Sequence, residues 1–180
     1  FVGTMSYAPN VDAVRFFVRH VLPEVRRRAP EARLVVVGKS PLPCIRALGD
    51  RSDVVVTGSV PDVEPYYARC ALSVVPLRGG GGTRLKILES MALGRAVVST
   101  SLGCEGLEVV DGEHLLVADA PDALAERIVA LLQDDDRRRG LTERARDLVE
   151  RRYAWPILGE RLMATYDALL AQAPGARDEA

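Results

Sequence analysis

The chain has 180 residues, 48% of them apolar and 27% charged, proportions that suit one soluble globular domain better than two. Formal net charge is -1 at pH 7, so no global basic field exists to gather nucleic acid or anionic lipid, and any phosphate site must be local. The longest apolar runs, such as Leu34 to Val37, are far too short to span a bilayer.

Phe1 to Gly3 reads as the end of a buried strand with no leader before it, so the sequence is read as a fragment of something longer. The turn Ser6 to Asn10 follows, with Asn10 expected to cap a helix whose apolar positions run from Val11 to Val25 at helical spacing. Arg26, Arg27 and Arg28 fall in its last turn, where positive charge suits the helix dipole. Leu34 to Val37, ended by Gly38, has the pattern of a strand covered on both faces. Pro41 to Gly49 can form a short helix, Val54 to Val56 another buried strand, Val63 to Arg69 a short helix and Leu72 to Pro76 a third strand. After the flexible loop 77–82 come a helix from Thr83 to Leu93, the strand Ala96 to Ser99 and a last short strand, Leu115 to Val117. Three helices complete the chain, over Pro121 to Leu132, Leu141 to Arg151 and Trp155 to Leu170, and the tail 171–180 is expected to be disordered. Strands alternating with helices every 20 to 25 residues indicate an α/β fold, a doubly wound, Rossmann-like parallel sheet with helices on both faces. Ligands of such sheets bind beyond the carboxyl ends of the strands.

One of those loops stands out. Gly79 to Gly82 are four consecutive glycines between a buried strand and a helix. Glycine lets backbone amides approach a ligand, and a helix start adds unpaired N–H groups and a positive dipole end. Thr83 is expected to cap the helix, while Arg84 and Lys86 place mobile positive charge in its first turn, where cations are disfavoured unless an anion is present. Glu89 lies six residues after Thr83, where its carboxylate can accept hydrogen bonds from ribose hydroxyls while phosphates sit at the helix tip. The plainer alternative is a surface loop feeding an ordinary amphipathic helix. The segment is neither a Walker A loop nor a Gly-x-Gly-x-x-Gly dinucleotide turn.

The run from Gly82 to Thr100, Gly-Thr-Arg-Leu-Lys-Ile-Leu-Glu-Ser-Met-Ala-Leu-Gly-Arg-Ala-Val-Val-Ser-Thr, closely resembles the donor-site signature of the family 4 (group 1) glycosyltransferases. The order of Leu34 to Gly38, Val56 to Val60, Tyr66 to Ala71, Gly103 to Gly112, Leu116-Val117 and Tyr153-Ala154-Trp155 matches that family too. The resemblance implies one half of a two-domain GT-B architecture, with residues 1–170 as the nucleotide-sugar (donor) domain and the N-terminal acceptor domain absent from this chain. It implies retaining, metal-independent transfer of a sugar from a nucleoside-diphosphate sugar to a glycan, lipid or cell-surface polysaccharide precursor. The amides around Gly81, Gly82, Thr83 and Arg84, with Lys86, would bind the diphosphate, Glu89 the ribose, and Gly38, Lys39 and Val60 would lie near the base. The nucleotide sugar is a substrate, so no cofactor and no metal are expected, and most of the catalytic machinery belongs to the absent half.

Two departures stand against the family pattern. A glutamate often found eight positions before Glu89 is replaced by Gly81, and Thr4, Met5 and Asn10 occupy the stretch where an Arg and a Lys usually follow the first strand. The sub-pattern Gly-x-Gly-Thr-Arg-Leu-Lys is similar to sugar transferases of bacterial exopolysaccharide systems. A non-catalytic nucleotide-binding module and a sugar-nucleotide epimerase of related shape stay open beside the transferase.

Other candidates read as structural. Asp134, Asp135 and Asp136 run into Arg137, Arg138 and Arg139 and are expected as a solvated interhelical linker rather than a metal motif. His20 is read as surface, His114 as the approach to a strand, and Tyr66 and Tyr67 as packing; Glu105 or Glu108 could approach the donor sugar. Cys44, Cys70 and Cys104 have no metal-ligand spacing; Cys70 and Cys104 are expected as small core-side residues in a reducing cytoplasm. Trp155, Leu158, Leu162, Tyr166 and Leu169 form one stripe. That stripe is expected to meet the protein's own N-terminal domain or, in the fragment, to dimerise. Membrane association, at the inner face of the membrane, is expected to be peripheral and to run through the absent domain.

Overall fold

The computed structural model, which describes residues 1–172, has five strands: β1 (Leu34–Val37), β2 (Val54–Gly58), β3 (Leu72–Val75), β4 (Ala96–Ser99) and β5 (Leu116–Val117). Each pairs in parallel with its neighbour. Around them lie α1 (Ala8–Phe16), α2 (Leu22–Arg28), α3 (Pro43–Arg46), α4 (Glu64–Arg69), α5 (Leu85–Ala92), α6 (Pro121–Gln133), α7 (Asp135–Arg152) and α8 (Trp155–Gln172).

Strand residues are apolar at successive positions because both faces are covered; all four residues of β4 are buried. Val74, Ala96, Val98 and Leu116 pack with Val14, Leu22, Val25, Leu124 and Ile128 of α1, α2 and α6. Val75 and Val97 pack instead with Ile87 and Met91 of α5 and Ala145 and Val149 of α7. That two-sided covering is the doubly wound arrangement.

The sheet comes in two pieces, β1 with β2 and β3 with β4 and β5, where the pattern suggests one. Of the expected strand Phe1 to Gly3, Val2 alone forms a bridge, to Val37 of β1. A cavity of about 410 Å3 lies between β1 and β3, lined in part by Phe1, Val35, Leu72 and Val74.

Three helices depart from expectation. α1 begins at Ala8 with Pro9 in its first turn, where the missing N–H costs no bond. Asn10 does not cap it; the side chain turns inward and is 6% exposed. A π-helical turn, Phe17–Val21, separates α1 from α2, because Pro23 cannot donate to the carbonyl of Arg19 and a widened turn absorbs the lost bond. α7 starts six residues before Leu141, so Asp134 to Asp136 are a helix start rather than a linker. An Asp134 oxygen accepts the Arg137 N–H at 2.8 Å, Asp135 pairs with Arg138 at 2.7 Å and Asp136 with Arg139.

α8 extends two residues past the expected Leu170, so the expected disordered tail opens in helix, and its residues 173–180 lie outside the described residues. Trp155 is 85% exposed, and Leu158, Leu162, Tyr166 and Leu169 are exposed with it. Cys70 and Cys104 are half-buried, and burial pushes both thiols up in pKa. No described helix is long and apolar enough to cross a membrane.

Candidate functional site

β3 delivers the glycine loop, and the buried Pro76 and Leu77 hold its root. Arg78 fixes the first arm: its guanidinium donates to both carboxylate oxygens of Asp12, at 3.0 and 2.6 Å, and lies 4.4 Å over the Phe16 ring. Gly80 and Gly82 take φ of 100 and 94, a left-handed backbone that glycine alone adopts cheaply. A Cβ on Gly80 would stand 2.7 Å from Pro9 Cγ, whereas Gly81 and Gly82 face open space. Among the described residues, no protein acceptor takes the backbone N–H of Gly81, Gly82, Thr83 or Arg84.

Thr83 is exposed and does not cap the helix. α5 begins at Leu85, and Arg84 takes the N-cap position with a non-helical backbone (φ -84, ψ 52) and no side-chain cap bond. The physical reason lies in the Arg84 side chain. It folds back on the loop and donates to the carbonyls of Gly80 at 2.9 Å and Gly81 at 3.4 Å. Only 6% of it is exposed, and its Nε is buried with no acceptor among the described residues. Arg84 therefore braces the loop rather than reaching out as a mobile cation. A buried guanidinium short of one acceptor is stabilised by any anion that approaches it.

Lys86, in the first turn of α5, donates to Asn10 Oδ1 at 2.7 Å and sits 4.3 Å over the Phe1 ring. Burial, and then the charge of Arg84, pushes its ammonium down to about 8. Asn10 in turn donates through Nδ2 to the Thr4 carbonyl at 3.0 Å. The first turn of α5 contains no acid, so two desolvated cations and free amides meet at the positive end of a helix. That combination favours a multivalent anion.

Glu89 is exposed, and one of its carboxylate oxygens accepts from the Tyr67 hydroxyl at 3.2 Å. Burial and the Glu89 charge push the Tyr67 phenol well above its ordinary pKa, so it stays a donor. Gly38 and Lys39 lie where β1 meets the loop after Val2: the Met5 N–H donates to the Lys39 carbonyl at 2.9 Å, and the Gly38 N–H to the Gly58 carbonyl at 3.1 Å. A Cβ on Gly38 would collide with the Gly3 carbonyl. Val60 lines a separate depression with Pro61, Asp62, Pro65, Tyr66 and Arg69.

The structure thus gathers Gly81, Gly82, Thr83, Arg84 and Lys86 at one helix end, with Glu89 further along the same helix. Asn10, expected as a cap, instead joins this cluster through Lys86, and Tyr67 is buried as packing predicts while its hydroxyl reaches Glu89. No spacing rule links them to partners 76 and 22 residues away. Glu108 is held by Arg152 of α7 at 3.5 Å, and His114 Nδ1 accepts the Val110 N–H at 3.1 Å, so both serve the turn before β5. His20 is exposed, 5.7 Å from Phe16. The 410 Å3 cavity contains none of the glycine-loop residues.

A family model described as glycosyl transferases group 1 matches residues 1–134. A phosphatidyl-myo-inositol mannosyltransferase of Mycobacterium tuberculosis is 30% identical over 158 residues, covering 82% of this chain and 42% of that protein. A GDP-mannose-dependent monoacylated alpha-(1-6)-phosphatidylinositol monomannoside mannosyltransferase of Corynebacterium glutamicum is 28% identical over 160 residues, 78% of this chain and 40% of that protein. The chain thus spans about two fifths of the length of these relatives. Anabaena HepE in complex with UDP shares the fold with a TM-score of 0.75 at 17% identity, over 93% of this chain and 49% of the other. So does the C-terminal domain of LpcC from Francisella tularensis, with a TM-score of 0.62 at 21% identity, over 74% of this chain and 78% of the other.

Proposed function

The chain belongs to the glycosyl transferases group 1 family, and we propose that residues 1–170 are the donor-binding half of a two-domain glycosyltransferase that uses a nucleoside-diphosphate sugar. The observation that carries this is the α5 start: free amides from Gly81 to Arg84, flanked by two desolvated cations and no acid. The diphosphate lies there, and Lys86 and the amides stabilise the charge that grows on it as the sugar leaves. With protein cations in that role, the transfer needs no metal ion, and it proceeds with retention. Glu89, steadied by Tyr67, accepts from the ribose hydroxyls. The base lies toward Gly38 and Lys39, with Val60 following β2, whose Gly58 carbonyl accepts the Gly38 N–H.

The acceptor, a glycan, a lipid or a cell-surface polysaccharide precursor, is held by an N-terminal half. Through that half the cytoplasmic enzyme associates peripherally with the membrane. The exposed stripe on α8 is the face that meets it, or pairs two copies of this chain. Calorimetric titration with UDP, GDP and ADP tests the donor site. One of the three binds, and Arg84→Ala and Glu89→Ala each weaken it. Binding of none, or unchanged affinity in both variants, contradicts the assignment.

A second reading, a nucleotide-binding module without transfer activity, is favoured by Gly81, which stands where related enzymes often carry a glutamate and has open space around it. Nucleotide-sugar turnover by the full-length protein excludes the module. Tight nucleotide binding with no turnover on any glycan or lipid acceptor supports it.

A further inference from the structure

Between the loop after Val2 and α5 lies a junction that the donor-site reading leaves unexplained. The Asn10 amide is 6% exposed, and both of its ends are engaged: Nδ2 donates to the Thr4 carbonyl at 3.0 Å, and Oδ1 accepts from Lys86 Nζ at 2.7 Å. The backbone at Gly3 packs close against both partners. A Cβ on Gly3 would stand 2.7 Å from Asn10 Nδ2 and 3.1 Å from Lys86 Nζ. Beneath the ammonium lies the Phe1 ring, at 4.3 Å. An asparagine inside the first turn of a helix gains nothing as a cap, and burying its amide costs stability unless both ends are paired.

We propose that Asn10 is a positioning residue of the diphosphate site, its amide oxygen holding the Lys86 ammonium between α5 and the loop after Val2 so that one cation serves both walls. The proposal rests on the donor-site reading and goes beyond it. It assigns this pocket one orientable side-chain charge, because the Arg84 guanidinium is bound to the carbonyls of Gly80 and Gly81. A neutral amide suits the task better than a carboxylate: it directs the ammonium by hydrogen bonding without neutralising the charge that the ligand must meet.

The surroundings of Lys86 define a pH signature. Burial, and then the charge of Arg84, lowers the affinity of Lys86 for its proton, and the ammonium is pushed down to about 8. Glu89, three residues further along α5, accepts from the Tyr67 hydroxyl instead. The Tyr67 phenol is pushed far up and keeps its proton between pH 7 and 9, so at this junction the charge that changes in that window is that of Lys86.

Calorimetry of the chain with UDP, GDP and inorganic pyrophosphate, from pH 6.5 to 9.5, tests the assignment on the wild type, Asn10→Ala, Asn10→Asp, Lys86→Met and Asn10→Ala/Lys86→Met. Wild-type affinity falls as pH rises through about 8. Asn10→Ala weakens binding at pH 7 about tenfold, the scale of one hydrogen bond to a charged group. Asn10→Asp, which keeps the shape and so keeps the test alive should the alanine variant fail to fold, moves the pH midpoint upward by about one unit, because an opposite charge favours the ammonium. In the Lys86→Met background Asn10→Ala has no further effect. An unmoved midpoint in Asn10→Asp, or full additivity of the Asn10 and Lys86 losses, overturns the positioning role while leaving the donor site intact. Failure of the wild type to bind any of the three probes overturns both.

Discussion

Two helix starts in this chain carry opposite solutions to the same problem. α7 opens on three aspartates: Asp134 accepts the Arg137 N–H at 2.8 Å, and Asp135 and Asp136 sit at the positive dipole end and pair with arginines one turn on. One of its free donors is capped by a side chain of the chain itself, and its dipole meets acids in the first turn. α5 opens on glycines, an arginine turned back on the loop and a desolvated lysine, with no acid in the first turn and no cap bond. The first start carries its own cap and acids; the second carries neither, and the proposed diphosphate would complete it. A helix end left locally unfavourable while another in the same chain is capped is what the proposed binding role would explain.

The largest effect expected from reversing this difference is that of Lys86→Glu, which gives α5 the acidic first turn of α7. Nucleotide-diphosphate affinity falls by about 100-fold, two charge contacts' worth, while thermal stability falls modestly because Asn10 Oδ1 loses its donor. Calorimetry and a melting curve read the two together, and intact affinity in the variant breaks the comparison. Glu89→Ala follows, with a loss of about tenfold for UDP or GDP and none for pyrophosphate, which has no ribose. Equal losses for both ligands would move Glu89 from the sugar to the phosphates.

Asp134→Ala, on the complete helix start, costs about 1 kcal/mol of stability in urea denaturation and leaves nucleotide affinity unchanged. The smallest effect is one of linkage. The folded-state value of Lys86, about 8, lies below its ordinary 10.5, so the unfolded chain binds more protons between those values, and stability of the ligand-free chain rises modestly with pH across that window. A saturating diphosphate raises the folded value and flattens the rise, which denaturation at pH 7.5 and 10 with and without ligand measures.

The same two sites show what a sequence discloses. The alternation of Leu34 to Val37, Leu72 to Val75 and Ala96 to Ser99 with helical segments is legible because burial on both faces forces continuous apolar runs. The glycine loop is legible because four glycines between a strand and a helix have few other uses. The family follows from the residues after it, and the match over 1–134 agrees. Side-chain direction was not legible. Arg84 reads as a mobile cation until the carbonyls of Gly80 and Gly81 are seen to turn toward it. Asn10 reads as a cap because its partner lies on another helix, and Tyr67 reads as core because its hydroxyl reaches Glu89 from the far side of β3 in sequence. At α7, acids followed by arginines read as solvated linker when charge is weighed, and as a helix start when hydrogen bonding is. Hydrogen bonding prevails, since an N-cap gains what a solvated aspartate does not.

The central claim is that the α5 start is held open for a diphosphate, and amide-resolved NMR titration of the 15N-labelled chain with UDP and GDP tests it most directly. The backbone amides of Gly81, Gly82, Thr83 and Arg84 are expected to move most at saturation, while those of Asp135 and Asp136 stay still. Saturable nucleotide binding that leaves those four amides unmoved would contradict it.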